Sequence, residues 1–116
     1  MTTKKIETKL KEITSKIVKE FQPEKIILFG SYAWGEPHEW SDVDLFIVKE
    51  SEKTSLELMR EVRRIIFGSG IGADILVYTP AQEQRRAAMG DPFLIRILTS
   101  GKTLYGRYPF LKTPIL

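Results

Sequence analysis

GSYAWGEPHEWSDVDLFIV, residues 30–48, is the stretch on which the reading of this chain turns. Its second half, Val43 to Val48, is an apolar run of strand type, opened by Asp42 and Asp44. Aspartate is a poor strand former, so two of them at that position need a reason. At spacing i, i+2 their side chains project from the same face of the strand. Two carboxylates so close repel each other unless a proton or a cation lies between them. A hard divalent cation such as Mg²⁺ takes carboxylate oxygens and keeps room for phosphate oxygens, so the pair has the chemistry of a shared metal site. In the first half, Gly30 lets the backbone approach a phosphate closely, and backbone N–H groups of a following helical turn favour an anion. The Ser31 hydroxyl can donate a further hydrogen bond to a phosphate oxygen. Residues 31–41, with Gly35, Pro37 and two tryptophans, predict a loop with one helical turn.

Upstream, Ile6, Leu10, Ile13, Ile17 and Phe21 recur at helical spacing among lysines and glutamates, which predicts an amphipathic helix over 4–21 stopped by Pro23. Lys25 to Phe29, KIILF, then reads as a buried strand entering the turn at Gly30. Downstream, Thr54 and Glu57 form a capping-box signature ahead of a second long helix, whose apolar side holds Leu58, Val62, Ile65 and Ile66. Gly68, Gly70 and Gly72 break the chain before ADILVYT, a third strand that opens on another aspartate, Asp74. Thr79-Pro80 and Asp91-Pro92 each predict a helix start, and Gly101 ends the last helix before KTLY, a short edge strand. The resulting order predicts an α/β (α+β) fold: a small mixed β-sheet of three to four strands with helices packed mainly on one face. If the strands of Asp44 and Asp74 are neighbours, all three acids meet at one end of that sheet. Three carboxylates around two metal ions make a workable phosphoryl-transfer site.

The 116 residues correspond to one small domain able to bury a real core. Cysteine is absent, so no thiolate can act as nucleophile or ligand, which fits a reducing compartment. No apolar run approaches the roughly 20 residues a membrane helix needs, and the amphipathic start lacks the apolar core of a signal peptide. A cytoplasmic, soluble protein is expected. A net charge of +3 helps attract a nucleotide but falls short of the basic patch of a nucleic-acid binder.

The combination of Gly30-Ser31, Asp42-x-Asp44 and a later lone Asp74 on a strand resembles the DNA polymerase β-type nucleotidyltransferase superfamily. The short length and the block over 30–48 are similar to the minimal nucleotidyltransferase (MNT) proteins, and the resemblance runs over roughly residues 10 to 106. It implies that Gly30 and Ser31 contact the triphosphate and that Asp42 and Asp44 bind metal. Asp74 would complete the metal site and help activate the acceptor. The implied cofactor is Mg²⁺ in a two-ion site, or Mn²⁺ on the same donors, with ATP as substrate. The implied activity is transfer of AMP to an acceptor hydroxyl, on a partner protein, with release of pyrophosphate. The resemblance further implies a small helical HEPN-type partner, with this chain as antitoxin. The alternative is a non-catalytic module that neutralises the partner by binding it. A second copy of the chain is the other partner considered, and neither a membrane nor a nucleic acid is expected. An antibiotic nucleotidyltransferase would need more chain to pocket its substrate, and nothing here could grip a polymerase template. One departure stands out: many minimal members carry arginine four residues after the motif glycine, where this chain has Trp34.

Other residues have plainer readings. Taken alone, Asp42 is a turn residue and Asp44 a strand end; only the company of Gly30-Ser31 and Asp74 makes them functional. His38 reads as a solvated loop residue, and Trp34 and Trp40 as partly buried beneath the loop rather than stacked on a base. Arg60, Arg63 and Arg64 lie at helical spacing from Glu57 and Glu61, as on a solvated ion-paired face, and Arg85 and Arg86 are read the same way. The apolar tail over 107–116 either covers the domain's own core or docks on another chain.

Overall fold

A computed structural model describes residues 3–37 and 41–106 of the chain. Helix α1 (Thr3–Phe21) leads into strand β1 (Lys25–Phe29), the one-turn helix α2 (Ser31–Trp34) and strand β2 (Val43–Val48). Then come α3 (Ser55–Ile66), β3 (Ala73–Tyr78), α4 (Pro80–Ala88), α5 (Pro92–Ser100) and β4 (Lys102–Tyr105). The strands form one sheet in the order β3-β2-β1-β4. β1 lies antiparallel to both β2 and β4, while β2 and β3 are parallel. The sheet is therefore mixed and four-stranded, and KTLY is its edge strand as expected. Parallel neighbours need a crossover, and α3 supplies it.

Both central strands are buried on both faces, as continuous apolar runs in a covered sheet must be. Alternation along them sorts the core into two clusters. Ile26, Leu28, Val43, Leu45 and Ile47 face the apolar stripes of α1 and α3, including Ile13, Ile17, Leu58 and Val62. Ile27, Phe29, Phe46 and Val48 face Leu94, Ile97 and Leu98 of α5. Each such side chain contributes about 1.5–3 kcal/mol when fully buried. The larger helical layer is α1 with α3, on one face, as expected; α4 and α5 form a smaller second layer on the other. The Lys25 ammonium and the Glu83 carboxylate, 2.6 Å apart and mostly buried, tie α4 to β1 on that second face.

The helix starts are those the sequence marks. The Thr54 side chain accepts from the Glu57 N–H, and the Glu57 carboxylate accepts from the Thr54 N–H. Thr79 and Gln82 make the same reciprocal pair, with Pro80 in the first turn. Asp91 caps α5 by accepting from the N–H groups of Phe93 and Leu94. On α3 the ion pair that forms is Lys53–Glu61, and Arg63 instead reaches the Ala73 carbonyl. Arg86 pairs with Asp91 at 3.5 Å. Among the described residues no helix is long and apolar enough to cross a membrane. His38, Trp40 and the tail over 107–116 lie outside the described residues.

Candidate active site

Pairing places the acids. Phe29, the last residue of β1, is the register partner of Asp44, so the turn after β1 passes directly beside that carboxyl. In the parallel pair, Asp44 is the partner of Asp74, and Val43 of Ala73. By alternation Asp42, Asp44 and Asp74 all belong to the face covered by α4 and α5. Asp44 is half-buried, whereas Asp42 and Asp74 are exposed.

Gly30 occupies φ 75°, ψ −152°, a region essentially restricted to glycine. Its carbonyl accepts from the N–H groups of Ala33 and Trp34 at 2.9 and 3.0 Å, which folds Ser31–Trp34 into one helical turn. A Cβ on Gly30 would overlap the Asp44 carboxyl. Gly72 has the matching relation to Asp42: a Cβ there would overlap the Asp42 carboxyl, and the Gly72 carbonyl accepts from the Val43 N–H at 3.0 Å. Two glycines thus give the two acids of β2 their space. The Tyr32 hydroxyl donates to the Ser41 carbonyl at 3.3 Å and ties the turn to the entrance of β2.

The Asp44 carboxyl is held above the usual carboxylate range. Desolvation is the first cause, followed by the charge of Asp74, a side-chain hydrogen bond with Asp74, and the charge of Asp42. A carboxyl crowded by like charges and partly desolvated favours its protonated form, and a divalent ion would relieve the same repulsion. The donor chemistry of Asp44 and Asp74 therefore fits a hard metal ion. Asp42 acts on the pair at longer range, with its carboxyl directed toward Gly72. Among the described residues no three acidic or histidine side chains are gathered into a ready metal-holding group. The site as folded is a pair plus a third charge, not the closed triad.

Of the five residues singled out from sequence, Gly30, Asp44 and Asp74 come directly together; Asp42 is one strand step away, and Ser31 opens the turn. Trp34 is partly buried, as read from sequence, and the surface that covers it is the α5 cluster. Gly72 was read only as a chain breaker. The signal for its role is the Gly72-x-Asp74 spacing set against Asp42-x-Asp44, visible once the two strands are aligned. A groove of about 650 Å³ between α1 and β4, lined by Ile6, Leu10, Thr14 and Leu104 among others, contains none of the acids. The crowded carboxyl groups, not that volume, mark the candidate site.

Residues 7–108 match the family described as nucleotidyltransferase domain. A Methanocaldococcus jannaschii protein named "Putative protein adenylyltransferase MJ1305" is 35% identical over 92 residues, which cover 75% of this chain and 61% of that protein. The chain thus matches about three-fifths of that relative's length. Among solved structures, one titled "Crystal structure of a putative nucleotidyltransferase from Sulfolobus solfataricus at 1.40 A resolution" superposes with a TM-score of 0.60 at 23% identity, over 86% of this chain and 79% of that one. A structure titled "Crystal structure of the toxin-antitoxin with AMP-PNP" superposes with a TM-score of 0.50 at 21% identity, over 84% of this chain and 73% of that one. At these identities the two structures establish a shared fold.

Proposed function

The chain belongs to the nucleotidyltransferase domain family, and from that premise we propose that it transfers AMP from ATP to an acceptor hydroxyl on a partner protein. The observation that carries this reading is the Asp44–Asp74 carboxyl pair on the border of the Gly30 turn. Gly30 and Ser31 receive the triphosphate, the glycine by leaving the backbone open and the serine by donating its hydroxyl. Asp44 and Asp74, with Asp42 one strand step away as the third carboxylate, would hold Mg²⁺, or Mn²⁺ on the same oxygen donors. Bound metal supplies positive charge to the triphosphate and to the attacking oxygen. Asp74, the exposed member of the pair, takes the acceptor's hydroxyl proton. The acceptor oxygen forms its bond to the α-phosphorus, the bond from that phosphorus to the bridging oxygen breaks, and pyrophosphate leaves. The protein's part is positioning and electrostatics. We take residues 1–116 as one such domain acting in the cytoplasm.

The acceptor in this reading is a small helical HEPN-type protein for which the chain is the antitoxin. The relative named as a protein adenylyltransferase supports a protein acceptor. The alternative reading is that the chain neutralises that partner by complex formation without catalysis. One experiment tests the first reading and separates it from the second. The chain and its Asp42→Asn/Asp44→Asn variant are incubated with α-labelled ATP, Mg²⁺ and host lysate. Label on a macromolecule only with the unmutated chain is the expected result. No label with either protein, in Mg²⁺ or Mn²⁺ and with all four nucleotides, sinks the catalytic reading. Neutralisation that survives the double substitution then supports the binding role.

A further inference from the structure

Helix α5 rests on both ends of the turn that carries Gly30 and Ser31. Phe93 meets the ring of Phe29 edge-on, with centroids 5.6 Å apart and planes at 85°. One turn further along α5, the Arg96 guanidinium lies 4.3 Å from the centre of the Trp34 ring. Phe29 immediately precedes Gly30, and Trp34 closes the helical turn after it, so the two α5 side chains bracket the turn. The Trp34 and Phe29 rings also touch, at 6.3 Å, which limits how far the indole can swing.

Arg96 differs from Lys25 and Arg86 on this side of the sheet. Lys25 is committed to Glu83, and Arg86 to Asp91. Arg96 is exposed and has no carboxylate or carbonyl partner among the described residues. A guanidinium held over an indole by a cation–π contact leaves N–H groups free for forked donation to phosphate oxygens. The acids gather negative charge on the same face of the sheet, across the turn from Arg96. An anion on the turn would thus lie between the metal-holding pair and this guanidinium.

We propose that Arg96, held by Trp34, is the side-chain cation that binds the triphosphate. Trp34 is then a positioning residue, and the cation missing from position 34 arrives from α5 instead. The proposal rests on the nucleotide reading above and adds the residue that grips the substrate.

The test is equilibrium binding of ATP and of AMP to the full chain in Mg²⁺, with steady-state transfer measured alongside. Arg96→Gln is expected to weaken ATP by about 10-fold or more, the effect of losing charge-assisted hydrogen bonds, and to change AMP less than twofold. In transfer the loss falls on KM for ATP more than on kcat. Arg96→Lys recovers little, because an ammonium offers no fork. Trp34→Ala weakens ATP less than Arg96→Gln does, Trp34→Phe less again, and the Arg96→Gln/Trp34→Ala double variant binds no worse than Arg96→Gln alone. Arg96 is exposed, so unchanged thermal unfolding is expected and is checked by circular dichroism. ATP affinity within twofold of wild type in Arg96→Gln overturns the proposal, and so does an equal loss for AMP. If Asp44→Asn still abolishes transfer in either case, the nucleotidyltransferase reading stands without it. A wild-type chain that binds no nucleotide removes both.

Discussion

Asp44 and Asp74 are register partners on neighbouring parallel strands, and burial together with the charge of Asp74 holds the Asp44 carboxyl above its usual range. This pairing joins residues thirty positions apart in sequence and requires β3 to add beside β2 in one register. A one-residue slip would move Asp74 to the opposite face of the sheet. The apolar residues Ile75 and Val77, buried on the α1/α3 side, enforce that register.

Because burial and its acidic neighbours raise the Asp44 pKa, the charged form burdens the metal-free fold. The penalty is absent below the ordinary carboxylate range and develops as pH rises through the raised folded value. Asp44→Asn should therefore gain stability relative to wild type as pH is increased from about 4 to 7 in EDTA. Urea denaturation across that range checks it, and a difference that does not grow with pH would be the contrary result. The same variant should lose transfer activity by about 10³-fold or more, if a metal-supported charge is removed.

Gly30→Ala adds a methyl group against the Asp44 carboxyl and forces a non-glycine residue into a glycine-only backbone region. The backbone strain alone costs about 1–3 kcal/mol. Both stability and transfer should fall, measured by urea denaturation and by label transfer.

Gly72→Ala isolates the steric part, since that glycine has no positive φ. The conflict is with the exposed, movable Asp42 side chain, so stability should change by less than about 1 kcal/mol. Transfer should nonetheless drop clearly, because the third carboxylate is displaced. Wild-type transfer in this variant would argue that Asp42 is not needed where it stands.

Thr54→Ala removes one half of the capping box on α3 and should cost about 1 kcal/mol, without altering KM for ATP. Hydrogen bonds from Thr54 hold the Glu57 carboxyl below its usual range. That contribution is present at neutral pH and is lost as pH falls through the lowered value. An NMR titration should show the Glu57 pKa of the variant rising only part of the way to its ordinary value, because the residue-54 backbone N–H still donates to the carboxylate.

Lys25→Met leaves the Glu83 carboxylate mostly buried without its cation, at a cost of about 3 kcal/mol. Lys25→Met/Glu83→Leu should recover most of that loss, since replacing both charges by apolar groups is often neutral. Thermal unfolding of the two variants decides it.

Much of this architecture is legible in the residues alone. Local chemistry marks the helix starts at Thr54, Thr79 and Asp91, the spacing of Ile6 to Phe21 marks α1, and the apolar runs mark the strands. Asp42, Asp44 and Asp74 are conspicuous because acids are disfavoured where those strands begin. Gly72 and Arg96 were not legible. A glycine among three in a short stretch looks like any chain breaker, and an arginine on an amphipathic helix looks like a solvated one. What distinguishes them is a neighbour distant in the chain: the Asp42 carboxyl for Gly72 and the Trp34 ring for Arg96. The division of helices into two layers was likewise hidden, because a strand buried on both sides presents the same apolar run whichever helices cover it. By itself the sequence determined which residues carry charge, where each element begins, and which acids lie on a common strand face, since these follow from side-chain chemistry and a period of two. Only the tertiary structure decided that Asp44 meets Asp74 while Asp42 stands off toward Gly72. Strand order and register are set by how apolar side chains pack across the whole sheet, and no local stretch contains that information.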